Sequence, residues 1–189
     1  MKVEIKEENA KYAKIVLSGI SAGFANAIRR AASNSVLCFA IDKAIFYENT
    51  SAMFDEYIAQ RVGLIPIITP SKGYNESDEI LFNLDATGPV IVYSRDLKST
   101  DGTIVVANQN IPIMKLGIEQ RLRFDGKAIL GNGEKHAKFR AGLISFNMID
   151  PQTYEFYIET FGQMPPKEIM IKAIESLTER LKEAKKLLK

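Results

Sequence analysis

The sequence predicts an α+β fold, and three patterns in it carry that prediction. Apolar and polar residues alternate in the strand period near both ends of the chain and through its middle. Two stretches, 24–35 and 54–62, repeat apolar residues in the helical period. The C-terminal stretch keeps a heptad-like apolar row, with no Pro or Gly after Pro166 to interrupt it. With 189 residues, 46% hydrophobic and 25% charged, the chain is long enough for one large domain or two small ones, and its composition is not that of a disordered protein.

Lys2–Lys6 and Tyr12–Ser18 alternate as strands, and the polar stretch Glu7–Lys11 between them reads as a hairpin turn. After Gly19, Ser21 stands where a helix N-cap would. Phe24, Ile28, Ala31 and Ser35 then share one helix face, with Asn26, Arg29 and Arg30 displaced from it. Ala40–Glu48 resumes a strand pattern. Thr50 or Ser51 is the expected cap of a second helix carrying Phe54, Ile58 and Val62, which Gly63 ends. The polar stretch 69–79 reads as a loop. Ile80–Leu84, Val90–Tyr93, Thr103–Ala107 and Arg121–Leu130 are candidate strands, with 111–117 expected as a turn region and Gly131–Glu134 as a tight turn. Phe139–Ile149 and Tyr154–Thr160 are the last two strand candidates, turning at Asp150-Pro151.

The C-terminal segment is the clearest. Pro165 and Pro166 suit a helix start. Met170, Ile174, Leu177, Leu181, Ala184 and Leu188 follow at alternating spacings of four and three, and Ile169 and Ala173 widen the row. Lys185, Lys186 and Lys189 crowd the last turn, where positive charge favours the helix dipole. About 23 residues at the α-helical rise give roughly 34 Å. Two readings fit this row: a terminal helix docked on its own domain, or a seam for a partner chain.

The same residues exclude several functions. No apolar run approaches the length of a membrane span. Met1–Glu8 has no basic region followed by an apolar one, so no secretory signal is expected. Cys38 is the single cysteine and His136 the single histidine, which rules out an internal disulfide and points to a cytoplasmic setting. Nor can these two residues furnish a zinc or iron–sulfur site. A net charge of +2 is too weak for a protein whose main work is gripping nucleic acid, and little or no such contact is expected. The acidic pairs Asp55-Glu56 and Asp78-Glu79 have no spacing that brings carboxylates together for acid–base chemistry, and ordinary solvated acids are the plain reading. Cys38, in Val36-Leu-Cys-Phe-Ala40, reads as a small buried hydrophobe. Arg29-Arg30 reads either as a solvated pair or as a donor pair for carboxylates of another chain.

Gly23-Phe-Ala-Asn-Ala-Ile-Arg-Arg30, Phe39-Ala-Ile-Asp42 and the run from Asn49 to Gly63-Leu-Ile-Pro66 resemble the signature region of the alpha-type RNA polymerase subunits. The resemblance is closest to the archaeal D-type members of that family, counterparts of bacterial alpha and of the eukaryotic third-largest subunit. Ser94-Arg-Asp-Leu-Lys98, Asn110–Leu116 and His136-Ala-Lys138 support it; it spans essentially the whole chain and is most specific over Phe24–Pro66.

That resemblance implies a discontinuous dimerisation domain, a sheet plus long helices, at about residues 1–39 and 150–189, with a mainly-β domain inserted at about 40–149. It implies a non-catalytic assembly subunit that forms a heterodimer with subunit L, is joined by subunits N and P, and receives the second-largest polymerase subunit. Carried onto this chain, Phe24, Ile28, Met170, Ile174, Leu177, Leu181, Ala184 and Leu188 become the expected L-pairing residues. Asn26, Arg29, Arg30, Asp55, Glu56 and Arg61 become the expected contacts with large and small subunits. Many members of this group also carry a cysteine-rich module with an iron–sulfur cluster. No such module lies between His136 and Thr160 here, and no cofactor is expected. An enzyme site built at a dimer interface from Asp55, Glu56 and Arg61, and a homodimeric scaffold, are the competing readings; only the resemblance selects a different partner chain.

Overall fold

The computed structural model describes residues 1–188; Lys189, counted above among the basic residues of the last turn, lies outside the described residues. Along the chain run β1 (Lys2–Glu8), β2 (Tyr12–Ser18), α1 (Ala22–Asn34), β3 (Cys38–Asn49), α2 (Asp55–Gly63), β4 (Glu79–Thr87), β5 (Val90–Tyr93), β6 (Lys98–Ser99), β7 (Pro112–Leu116), β8 (Arg121–Gly131), β9 (Gly142–Asp150), β10 (Thr153–Thr160) and α3 (Pro166–Leu187). The fold is α+β. It divides into two compact units, Met1–Leu37 with Asn132–Lys189, and Cys38–Gly131.

In the first unit a four-stranded antiparallel sheet has the order β1-β2-β10-β9. Its hairpin turn is fixed by Asn9, whose Oδ1 accepts from Lys11 N and Tyr12 N at 2.8 and 2.9 Å. Alternation then sets the core face. Ala13, Ile15 and Leu17 of β2 stand opposite Ile158, Phe156 and Tyr154 of β10, and all six are buried. Both helices pack here: α1 buries Ala25, Ile28, Ala31 and Ala32, and α3 buries Pro166, Ile169, Met170 and Ala173. Alanines on α1 let α3 and β9 approach it closely. Ser21 caps α1 as expected, its Oγ accepting from Phe24 N at 3.3 Å. The unit resumes at Asn132, earlier than the boundary near residue 150 expected from the resemblance. Two interactions account for this. Glu134 N donates to Asn34 O at 3.2 Å, and β9 pairs with β10 from Gly142↔Thr160 to Asp150↔Thr153. A Cβ at Gly142 would lie 2.1 Å from Glu159 O, so the crossing needs glycine there.

The second unit holds a four-stranded sheet of order β3-β8-β4-β6 and the hairpin β5–β7. Phe39, Ile41, Ile58, Val62, Phe82, Leu84, Leu122 and Phe124 belong to its core. Three sequence expectations are corrected in this unit. The turn expected at 111–117 is instead a strand: 112–116 form β7, paired with β5 and burying Ile113, Met114 and Leu116. Thr103–Ala107 is not a strand: Ile104 and Val106 are buried from a loop that makes one bridge, Ile67↔Val106. Neither Thr50 nor Ser51 caps α2; Phe54 occupies that position without a side-chain hydrogen bond. Thr50 Oγ1 instead accepts from Arg121 N at 2.7 Å, and Ser51 Oγ donates to Asn49 Oδ1 at 2.6 Å. Asp55 and Glu56 favour this helix start by their charge.

Candidate polypeptide-binding surfaces

The C-terminal apolar row splits along its length. Met170 is 4% exposed and belongs to the unit's own core, as does Ile28 of α1 at 1%. Leu177 is half-buried, Ile174 is exposed, and the row then leaves the protein body altogether. Leu181 is 69% exposed, Leu188 89%, and Ala184 is exposed between them. Leu187 adds a further exposed side chain, so a leucine-rich stretch of α3 has nothing of its own unit upon it. Phe24, at the start of α1, is 41% exposed. Among the eight residues expected at the pairing seam, Ile28 and Met170 are therefore used internally, and the others retain surface.

On α1, Arg29 folds back along its own helix, donating from Nε and Nη2 to Asn26 Oδ1 at 3.1 and 2.9 Å. Arg30 points elsewhere. It lines a groove of about 270 Å³ between α1 and α3, together with Ala27, Ala31, Asn34, Leu177, Glu134 and Arg180. Arg180 Nη2 donates to Glu134 Oε1 across it at 2.9 Å. Neither Glu134 nor Arg180 stands out in the sequence. Arg180 sits three residues past Leu177, a signal that helical spacing offers. Glu134 lies 46 positions from its partner, which no local pattern encodes.

In the second unit, α2 lies beside a larger groove of about 530 Å³, lined by Met53, Phe54, Tyr57, Gln60, Arg61 and Met114 among others. The Phe54 and Tyr57 rings stack with centroids 6.3 Å apart, and both side chains are largely exposed. Asp55 is tied inward, its Oδ1 accepting from Asn49 Nδ2 at 2.7 Å, while Glu56 is exposed. Arg61 braces the fold: Nε donates to Ile113 O at 2.8 Å and Nη2 to Pro112 O at 2.7 Å, joining α2 to β7. Arg61→Ala is expected to destabilise the second unit by about 1–3 kcal/mol, since it removes two hydrogen bonds from a charged donor, one of them to the part-buried Ile113 carbonyl. Arg61→Lys should restore little, because an ammonium cannot reproduce the planar fork. Denaturant midpoints of the three proteins measure this.

Cys38 is fully buried, and burial pushes its thiol up to about 12. The folded state thus holds the proton more tightly than the unfolded state. The resulting stabilisation is complete below about pH 9 and is lost as pH rises from there toward 12. Cys38→Ala should flatten that part of the stability profile, and thiol reagents at neutral pH should label the wild type only on unfolding. His136 is exposed and its Nδ1 accepts from Lys138 N at 3.1 Å, a local turn contact. Among the described residues no three His, Cys, Asp or Glu side chains are grouped to hold a metal ion.

Open leucines on α3, an arginine-lined groove and an aromatic groove are the candidate contact surfaces among the described residues. A family model described as the RNA polymerase Rpb3/RpoA insert domain matches residues 48–150. The DNA-directed RNA polymerase subunit Rpo3 of Methanocaldococcus jannaschii is 46% identical over 154 residues, 82% of this chain and 78% of that protein. Its counterpart in Thermococcus kodakarensis is 43% identical over 152 residues, 77% of this chain but only 59% of the relative. The match with the Halobacterium salinarum Rpo3 is 29% identical over 235 aligned positions, 96% of this chain and 94% of that protein. With 189 residues here, at least 46 of those positions have no counterpart in this chain. The chain belongs to the Rpb3/RpoA family of RNA polymerase subunits.

Proposed function

We propose that this chain is a non-catalytic assembly subunit of an archaeal DNA-directed RNA polymerase. Its first unit would act as the dimerisation domain and its second as the insert. In this reading α3 pairs with the smaller subunit L, the insert meets the small subunits N and P, and the pair becomes the platform for the second-largest subunit. One observation carries the proposal: α3 runs past the body of its own unit with Leu181, Leu187 and Leu188 uncovered. A solvated amphipathic helix end has little reason to hold such a row, whereas a permanent interface is apolar at its centre. Family membership supports the setting, and the grooves beside α1 and α2 supply further contact surface.

The test is purification of the tagged chain from its own cells, followed by the stoichiometry of what accompanies it. Recovery of the polymerase subunits, one copy of this chain per complex, is expected. Recovery of the chain alone, or only with a second copy of itself, would contradict the reading.

A further inference from the structure

We propose that the outer edge of β9 pairs antiparallel with the same edge of a second copy of this chain, joining two four-stranded sheets into one. This contact is separate from the assembly reading and stands or falls without it.

Edge strands present unpaired backbone groups, and folded proteins ordinarily guard them with charge, bulges or brevity. Three outer strands are guarded in this way. β1 carries Lys2, Glu4, Lys6, Glu7 and Glu8 and shifts register between Ile5 and Glu7. β3 carries Asp42, Lys43 and Glu48 and shifts register twice against β8. β6 is only two residues long. The exception is β9. Its nine residues, Gly142–Asp150, hold no proline and no charge before Asp150. Among the described residues it pairs with β10 alone, and its one register shift lies at the Asp150 end.

The core face of this sheet also thins out at β9. Tyr154, Phe156 and Ile158 of β10 are buried, whereas Phe146 and Ile144 opposite them are half-buried and Met148 is exposed. A further strand beyond β9 would continue that apolar row.

The polarity of β9 favours its own copy as the occupant, because it reads alike in both directions from Phe146. In a two-fold antiparallel pair centred there, Phe146 meets Phe146, Ile144 meets Met148 and Ser145 meets Asn147. Leu143 meets Ile149 at each end. Apolar residues face apolar ones throughout, and polar face polar. Centring on Ser145 instead sets Leu143 against Asn147, and centring on Asn147 sets Ile144 against Asp150. One strand edge makes a small contact, so the pair is weak and concentration-dependent, and a permanent heterodimer at low concentration is compatible with it.

The experiment is sedimentation equilibrium of the free chain from low to high micromolar concentration. It is done with Leu181→Asp in every protein, which breaks the open leucine row as a competing route. A monomer–dimer equilibrium is expected. Ser145→Lys with Asn147→Lys sets like charges opposite each other across the pair and should weaken it about tenfold or more, less so at high salt. Ser145→Glu with Asn147→Lys sets opposite charges there and should restore the dimer or strengthen it. Both side chains are exposed, so denaturant midpoints should agree among the proteins and control for folding. A chain monomeric at every concentration would overturn the proposal. So would an undiminished dimer with two lysines, or no recovery with the opposite charges. If two lysines spare the dimer but lower recruitment of the large subunit, the edge belongs to a strand of that subunit and the proposal is likewise overturned.

Discussion

Leu181→Asp is expected to abolish pairing with the smaller subunit while leaving the free chain folded. The side chain is 69% exposed, so the change touches almost nothing in its own unit and should shift stability by no more than about 0.5 kcal/mol. In the pair the same position would be desolvated, and a carboxylate there would carry its charge into an apolar seam. Interface centres typically lose about 2–4 kcal/mol on truncation, and an unpaired charge costs more. At about 1.4 kcal/mol per factor of ten, affinity should fall by on the order of a hundredfold or more. Circular dichroism on the free chain and a binding titration with the partner separate the two effects. Leu177→Asp is a less clean probe, because Leu177 is half-buried and lines the α1–α3 groove. Unchanged affinity for Leu181→Asp would mean that the exposed row is not the seam.

Met170→Asp, on the same helical row, is expected to do the reverse and unfold the first unit. Met170 is 4% exposed and packs in the core shared by the sheet and both helices. Removing a buried methionine side chain costs about 2–5 kcal/mol before any charge is considered. The new carboxyl would have to stay protonated or find water. Its folded pKa would be raised, so the deficit should deepen as pH climbs through about 4, the ordinary aspartate value. Against a domain stability of about 5–15 kcal/mol this is enough to empty much of the native state. Denaturant unfolding read separately from pairing should show lost stability first and lost pairing as its consequence. A stable Met170→Asp chain would contradict the placement of this residue in the core.

The contrast between these two residues shows what was legible in the sequence. Periodicity puts Met170 and Leu181 on one face of one helix, and the structure has that helix starting at Pro166 after Pro165. It cannot say where the body of the protein ends beneath the helix, because period reports a face and not what covers it. Local chemistry is readable where a residue acts on its neighbours. Ser21 capping α1 is one case, and the Asn9 turn between β1 and β2 is another. It fails where the deciding partner lies far along the chain. β7 is a strand because β5 pairs with it, and Thr50 is drawn from α2 to Arg121, 71 residues away. Arg61 illustrates the same limit at the candidate site. Its motif suggests contact with another subunit, and only the structure reveals two carbonyls of β7 already in its grasp. The groove of Arg30, Glu134 and Arg180 assembles from three separate segments and has no linear signature.

The central claim is that the open half of α3 exists to be covered by a different, smaller chain. The most direct measurement is the native mass of the protein co-expressed with the smaller polymerase subunit, compared with the protein expressed alone. The account predicts a single 1:1 heterodimer from co-expression, and self-association or aggregation of the chain by itself. A well-behaved monomer whose mass and solubility are indifferent to the partner would contradict it.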